Sequence, residues 1–447
     1  MLSKPTSRRA FLKGAAMTAA TFTIVPRHVL GGPGYRAPSD VLNVAGIGVG
    51  GKGWTDVNGV ATENIVALVD VDDVTAANAY QKFPNARRYK DYRVMLDQEK
   101  DLDAVTISTP DHTHAVIATA AMEAGKHVYV QKPLARTISE TRSLMETARR
   151  TGVVTQMGNQ GHANDGTRQI REIIEAGLIG PVREVHFWTD RPIWPQALDR
   201  PEASYQPPPT LDWDLWLGPA PYRPYHPAYY APFNWRGWWD FGTGALGDIG
   251  CHAMDAAFWT LDLRNPTRIE AETTRRFPET APAASRVTYY FPANDRHPDL
   301  IAIWYDGTLR PPSLPVIQPG EAPPWEVNGQ MFVGDDGILM ADWLGNNPRL
   351  FPESLHAAYL SNPPEHKYVR VPNDDPYQEW ITAIKNGTQP GSNIPEHAGP
   401  LTEMVLLGNL AVRTGEIIEW DGAAGRVTNL PEANQYLQST PREGWAL

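Results

Sequence analysis

The segment VLNVAGIGVGGKG, residues 41–53, constrains this chain more than any other. An apolar strand runs directly into glycines 46, 48 and 51, the G-x-G-x-x-G spacing. Gly46 suits the tight turn, Gly48 lets the backbone approach a pyrophosphate, and Gly51 lets the following helix pack on the strand. The phosphates would then rest on N–H groups at the helix N-terminus. Such a loop alone is often only a flexible turn, so its context decides. A second strand, NIVALVD, ends in Asp70, nineteen residues beyond Gly51. That carboxylate is placed to accept both ribose hydroxyls of NAD. Asp72 and Asp73 follow with no adjacent Arg, so a 2′-phosphate would meet negative charge, and NAD is expected rather than NADP.

The βα rhythm continues. DAVTIST, HVYVQKPL and VVTQMGNQGH read as further strands. PDHTHAVIATAAMEAGKH reads as a loop and helix ended by Gly125. Thr137 and Glu140 form a capping box for the next helix. Strands alternating with helices argue a Rossmann-type, doubly wound parallel sheet, with ligands beyond the carboxyl ends of its strands, at TPDHTH, QKP and GNQGH. From about Val182 the pattern changes. VREVHFWT, TRIEAET, RVTYYF, IAIWYD and GQMFVGDDGILMAD read as strands of an open, mostly antiparallel sheet in a C-terminal α+β domain. A long Pro- and aromatic-rich excursion, Pro192 to Asp240, interrupts them, and a loop of that length is usually functional. The expected organisation is a signal and linker over 1–40, a nucleotide-binding domain over 41–165 and the α+β domain over 166–447. The terminal helices, DPYQEWITAIKNG and GPLTEMVLLGNLAVRTG, are expected to pack back on the nucleotide half.

The bulk properties exclude several classes. A net charge of −11 over 447 residues does not suit a nucleic-acid partner. The single cysteine, Cys251, rules out an intramolecular disulfide framework and a Cys-based zinc site. The N-terminal SRRAFLKGAAMTAATFTIVP pairs Arg8 and Arg9 with Phe11, Leu12 and Lys13 ahead of a small apolar stretch. That is the layout of a twin-arginine export signal, so a periplasmic or extracytoplasmic location is expected. No later apolar run is long enough to span a bilayer.

The other dense segment is WWDFGTGALGDIGCH, residues 238–252. GDIGCHAMDAAFWTL reads as a helix starting near Asp248, with Asp248 and His252 four apart on one face. As an isolated pair they need be no more than a helix N-cap and a core histidine. A metal built on them lacks a third ligand, and no metal is expected. Cys251 reads as a small buried thiol. Trp213, Trp216, Tyr229, Tyr230, Trp235, Trp238 and Trp239 could stack on sugar faces, but most are expected in the core or at a subunit interface. Arg236, between Trp235 and Trp238, is the best single candidate for a polar substrate or cofactor contact.

Taken together, the glycine loop, Thr109-Pro110 with His114, Lys132-Pro133 and Asp248-x-x-x-His252 resemble the Gfo/Idh/MocA oxidoreductase family, from about Val41 to the end of the chain. In that family a Glu-Lys-Pro triplet ends a strand over the nicotinamide; here it is Gln131-Lys132-Pro133. The resemblance implies Lys132, Asp248 and His252 as catalytic residues. It places Gly46, Gly48, Gly51, Asp70, Thr109, Pro110, His114, Gln131 and Asn159 around NAD. His252 would take the hydroxyl proton, Lys132 would stabilise developing charge on the same oxygen, and Asp248 would hold a neighbouring hydroxyl. The expected function is NAD-dependent oxidation of a sugar, polyol or glycoside hydroxyl with a tightly held cofactor, in a homo-oligomer. Two alternatives stand beside it. One is an exported glycosidase that oxidises C3 transiently and cleaves by elimination; the other is a non-catalytic sugar-binding protein.

Overall fold

The computed structural model describes residues 40–313 and 327–447. The twin-arginine segment lies outside the described residues. From Asn43 onward the chain forms one unit built on two sheets.

The first sheet has strands β1 (Asn43–Ile47), β2 (Asn64–Val69), β3 (Arg87–Tyr89), β4 (Ala104–Ile107), β5 (His127–Val130) and β6 (Thr155–Met157). All pair in parallel in the order β3-β2-β1-β4-β5-β6. Helices α1 (Lys52–Gly59), α2 (Ala77–Lys82), α3 (Tyr92–Gln98), α4 (Asp111–Glu123) and α5 (Ile138–Thr151) connect them. This is the expected doubly wound sheet, and the strand order reverses at β1 and β4, where such sheets bind ligands. The capping box is present: Glu140 N–H donates to Thr137 Oγ1 at 3.2 Å, and Thr137 N–H donates to Glu140 Oε2 at 3.0 Å. Gly152 closes α5 at φ 68°, a left-handed conformation that favours glycine.

Helix α6 (Asp165–Glu175) leads to the second sheet. Its strands are β7 (Val182–Trp188), β8 (Arg268–Thr273), β9 (Ser285–Phe291), β10 (Leu300–Tyr305), β11 (Gly329–Gly334), β12 (Ile338–Asp342), β13 (Arg349–Phe351), β14 (Ile418–Asp421) and β15 (Arg426–Val427), in the order β13-β12-β11-β7-β10-β9-β8-β14-β15. β7 and β10 pair in parallel; every other neighbouring pair is antiparallel, so the open, mostly antiparallel sheet holds.

The excursion carries α7 (Trp213–Leu217), and α8 (Gly244–Ala253) and α9 (Asp255–Leu261) follow it. Trp213, Trp216, Tyr230, Trp235, Trp238 and Phe241 form a separate aromatic core. Arg223, 1% exposed, is buried among the rings of Tyr230, Trp238 and Phe241 and is paired with Asp240. Most of the aromatics therefore do pack in the interior, as expected.

One expectation is corrected here. GDIGCHAMDAAFWTL is two helices meeting at Met254, and the first begins at Gly244 rather than near Asp248. Asp248 therefore lies inside α8 and is not its N-cap. Gly244 opens the helix at φ 66°, and a Cβ on Gly247 would come within 2.0 Å of Thr243 Oγ1. These two glycines allow the chain to turn helical earlier than the polar signal at Asp248 suggests.

Helix α10 (Glu353–Ser361) follows β13, and α11 (Pro376–Asn386) and α12 (Gly399–Thr414) return to the nucleotide half. Tyr377 of α11 donates to Asp56 of α1 at 2.7 Å. Arg142 of α5 donates to both carboxylate oxygens of Glu403 on α12, at 2.7 and 2.6 Å.

Candidate active site

A cavity of about 630 Å³ opens at the carboxyl ends of β1 and β4 and reaches α8. Its nucleotide end is lined by Gly48, Gly50, Gly51 and Asp70. Gly48 has φ 73° and Gly51 φ 51°. A Cβ on Gly48 would lie 2.9 Å from Thr109 N, so only glycine lets the loop pass this close to the β4 end. Around Gly51 a Cβ would meet nothing within 4 Å, so Gly51 does not serve the expected helix packing; Gly53 makes the close contact, where a Cβ would come within 1.7 Å of Gly48 O. Gly46 does not line the cavity. Its missing side chain makes room for Val49 and Val57, each of which a Cβ there would approach within 3.1 Å.

Asp70 ends β2 inside the cavity, as expected, but it is already engaged. Its Oδ2 accepts from the N–H groups of Val49 and Gly50 at 2.9 and 3.2 Å, and its Oδ1 from Asp72 N–H at 2.9 Å. Burial raises its pKa, opposed by those three N–H groups. Asp70 thus shapes the glycine loop from within the cavity.

Thr109, Pro110, His114, Gln131 and Lys132 also line the cavity. His114 bridges two loops: Nδ1 lies 2.8 Å from Pro133 O and Nε2 lies 2.7 Å from Thr109 O. Burial lowers its pKa to about 4, so the ring is neutral and donates through one nitrogen. Gln131 donates through Nε2 to Asp56 Oδ2 at 2.9 Å. Asp56 also accepts from Ser108, Lys52 and Tyr377. This gives a physical reason for Gln where the family triplet has Glu, because a carboxylate beside Asp56 would be repelled. Asn159 lies elsewhere. It is 1% exposed and is not among the cavity's lining residues. Its Nδ2 donates to Asp255 at 2.9 Å and its Oδ1 accepts from Ser392 at 2.5 Å.

The other end of the cavity gathers its charged side chains and a histidine. Lys132 donates to Asp248 Oδ1 at 3.0 Å and to the Asp248 main-chain carbonyl at 2.7 Å. Arg236 Nε donates to the same Oδ1 at 3.1 Å. Burial would raise the Asp248 carboxyl, but the two cations outweigh it and hold its pKa at about 2. Arg236 lies against the rings of Phe233 and Trp235, 4.3 and 4.5 Å from their centroids, which fixes its guanidinium. With two of its N–H groups used on Asp248, Lys132 retains one for another oxygen.

His252 lies one helical turn beyond Asp248 and lines the same cavity. Its Nδ1 is buried without a hydrogen-bond partner. The ring meets Trp343 edge-on, with centroids 5.1 Å apart. Burial, with Lys132 adding to it, lowers its pKa to about 3, so the imidazole is neutral. An unpartnered polar atom in a buried site is costly.

Asp111 and Trp343 stand out among the lining residues that no sequence motif marks. Asp111, the first residue of α4, is 5% exposed and accepts from Thr243 Oγ1 at 2.8 Å. Burial raises its pKa to about 7, against the pull of Lys132 and Thr243. The TPDHTH segment was recognised as a strand end, but nothing local marks this carboxyl as buried. Trp343, just after β12, comes from a distant hairpin and carries no motif.

A family model described as an oxidoreductase family's NAD-binding Rossmann fold matches residues 42–159, and the same family's C-terminal alpha/beta domain matches residues 164–301. Levoglucosan dehydrogenase of Pseudarthrobacter phenanthrenivorans is 28% identical over 191 residues, 42% of this chain and 40% of that protein. A glycosyl hydrolase family 109 protein of Shewanella sp. (strain W3-18-1) is 35% identical over 200 residues, 39% of this chain and 43% of that protein. The matched stretches thus span well under half of these relatives. The WlbA dehydrogenase from Bordetella pertussis, solved with NADH and UDP-GlcNAcA, shares the fold at a TM-score of 0.60 and 16% identity, over 85% of this chain and 99% of that one.

Proposed function

The chain belongs to the Gfo/Idh/MocA oxidoreductase family, and from that premise we propose that it is an NAD-dependent oxidoreductase acting on a carbinol carbon of a sugar, polyol or glycoside. One observation carries the reading. His252 lines the same cavity as the glycine loop and Lys132. When bound, NAD supplies the hydride acceptor. The N–H groups of the glycine loop would hold its pyrophosphate and Asp70 its ribose.

The remaining work belongs to side chains. The substrate hydroxyl must lose a proton as hydride leaves its carbon, and neutral His252 is in the accepting form. A lowered pKa makes it a weak base, which the Lys132 ammonium offsets by stabilising the developing alkoxide. Asp248 keeps Lys132 in place, and Arg236 with Trp194 and Trp235 walls the substrate end. Because Asp248 already accepts two charged donors, its part is to position Lys132 and Arg236 before it is to hold a sugar hydroxyl.

Asp111 favours a second reading, redox-neutral cleavage of a glycoside. Elimination from a transiently oxidised sugar moves a second proton, off the carbon beside the ketone and onto the leaving oxygen. A buried carboxyl with a pKa near 7 suits that transfer. The Shewanella relative supports it, and so does the export expected from Arg8 and Arg9, since a cofactor outside the cytoplasm must be regenerated in place. Gentle denaturation followed by mass spectrometry tests whether NAD co-purifies. Carbohydrates and glycosides are then added to that protein while reduced-nicotinamide absorbance and product are followed. Stoichiometric reduction supports the first reading, and turnover with no net reduction supports the second. Protein that holds NAD yet does neither would be a binding protein, and both readings would fall.

A further inference from the structure

Among the described residues, one cluster of histidine and acidic side chains converges away from the cavity. Asp255 is 2% exposed. Its Oδ2 lies 3.0 Å from His162 Nδ1, and its Oδ1 lies 2.5 Å from His397 Nε2. His162 and His397 are 2% and 4% exposed, and their ring centroids are 4.2 Å apart. Asn159 Nδ2 donates to Asp255 Oδ1, and Ser392 Oγ donates back to the Asn159 carbonyl oxygen. Gly391 is needed beside them, since a Cβ there would come within 2.7 Å of His162 Nε2.

We propose that His162, Asp255 and His397 form a buried structural site for a divalent transition metal, zinc foremost, with a water in the fourth position. A buried carboxylate needs a positive partner. Among the described residues no Lys or Arg bonds Asp255. Two imidazoles this close oppose each other's protonation. A dication meets both demands, because each ring coordinates as the neutral base and the carboxylate supplies the charge. Two nitrogens and an oxygen suit zinc and its neighbours, whereas calcium and magnesium favour all-oxygen sets. The ligand atoms all lie within 4.8 Å of one another, and small side-chain shifts would bring them to the separation of about 3.3 Å that a tetrahedral zinc requires.

The placement argues a staple. His162 follows β6 of the parallel sheet, Asp255 opens α9 three residues beyond His252, and His397 immediately precedes α12. A metal here would tie the nucleotide sheet and the terminal helices to the helix pair that carries His252. None of the three lines the cavity, so the metal would act on stability and not on the reacting atoms. No metal is expected from the sequence, because the ligands run from residue 162 to residue 397 without a local spacing motif.

The test uses untagged, full-length protein. Elemental analysis after exhaustive dialysis is expected to find about one zinc per chain. Stripping with dipicolinate should lower the melting temperature, zinc should restore it, and cobalt(II) should give the visible bands of a four-coordinate site. His397→Gln should abolish the cobalt bands. The stripping and cobalt arms use the parent chain, so a variant that fails to fold does not remove the test. A parent that is metal-free as purified, forms no cobalt bands and shows no melting shift with zinc would overturn the proposal, leaving a hydrogen-bonded triad. Unchanged bands in folded His397→Gln would overturn it equally.

Discussion

Lys132 reaches across from the end of β5 and donates twice to Asp248 of α8, to the carboxylate at 3.0 Å and to the main-chain carbonyl at 2.7 Å. The two domains meet at this pair, and the carbonyl bond does not depend on the Asp248 side chain. Asp248→Asn should therefore leave Lys132 near its place while removing the charge that balances both Lys132 and Arg236. We expect a drop of about 10–10³-fold in the hydride step and a lower melting temperature, since two partly buried cations lose their counter-charge. Single-turnover reduction of bound NAD beside thermal unfolding measures both. A parent rate at unchanged melting temperature would show that neither cation is held by Asp248.

His252→Ala should cost about 10²–10⁴-fold in the same step with NAD affinity nearly intact, because the glycine loop and Asp70 lie on the other domain. The unpartnered Nδ1 makes no bond whose loss would destabilise the fold, so the stability change should come only from the packing against Trp343. If His252 were only a core residue, turnover per folded molecule would be normal and the melting temperature would fall.

Asp111 sets a pH dependence. Burial raises its pKa from 3.8 to about 7. Between those values the folded chain keeps a proton that the unfolded chain has released. Stability from this group is therefore fully present below the lower value and is lost as pH rises through the upper one. Asp111→Asn removes the ionisation. The parent's melting temperature should decline relative to the variant's from about pH 4 to about pH 7 and level off above that. Parallel melting curves across that range would place the carboxyl in ordinary solvent.

Asp70→Ala should weaken NAD far more than NADP. It should also loosen the glycine loop, because the carboxylate accepts from Val49, Gly50 and Asp72. We expect a lower melting temperature without cofactor as well as weaker NAD binding by titration. Equal weakening of both nucleotides would remove Asp70 from the ribose site.

The nucleotide half was legible because its signals are local. The G-x-G-x-x-G spacing, a carboxylate at the end of the next strand and the Thr137–Glu140 box each act within about a turn or a strand of themselves. A βα alternation leaves few topologies for a parallel sheet. Lys132, Asp248, His252 and Arg236 were legible as candidates, and folding brings all four to one cavity. Other features have no local signature. The parallel pairing of β7 with β10 joins strands separated by the whole excursion. The start of α8 is set by Gly244 and by Gly247 against Thr243, not by the polar residue at 248. Asn159 turns away from the cavity because Asp255 and Ser392 take its amide. Asp111 owes its raised pKa, and the His162–Asp255–His397 cluster its existence, to burial by elements far apart in the chain. Spacing along a chain encodes hydrogen bonds that close within it, whereas desolvation and side-chain convergence arise only when distant segments pack.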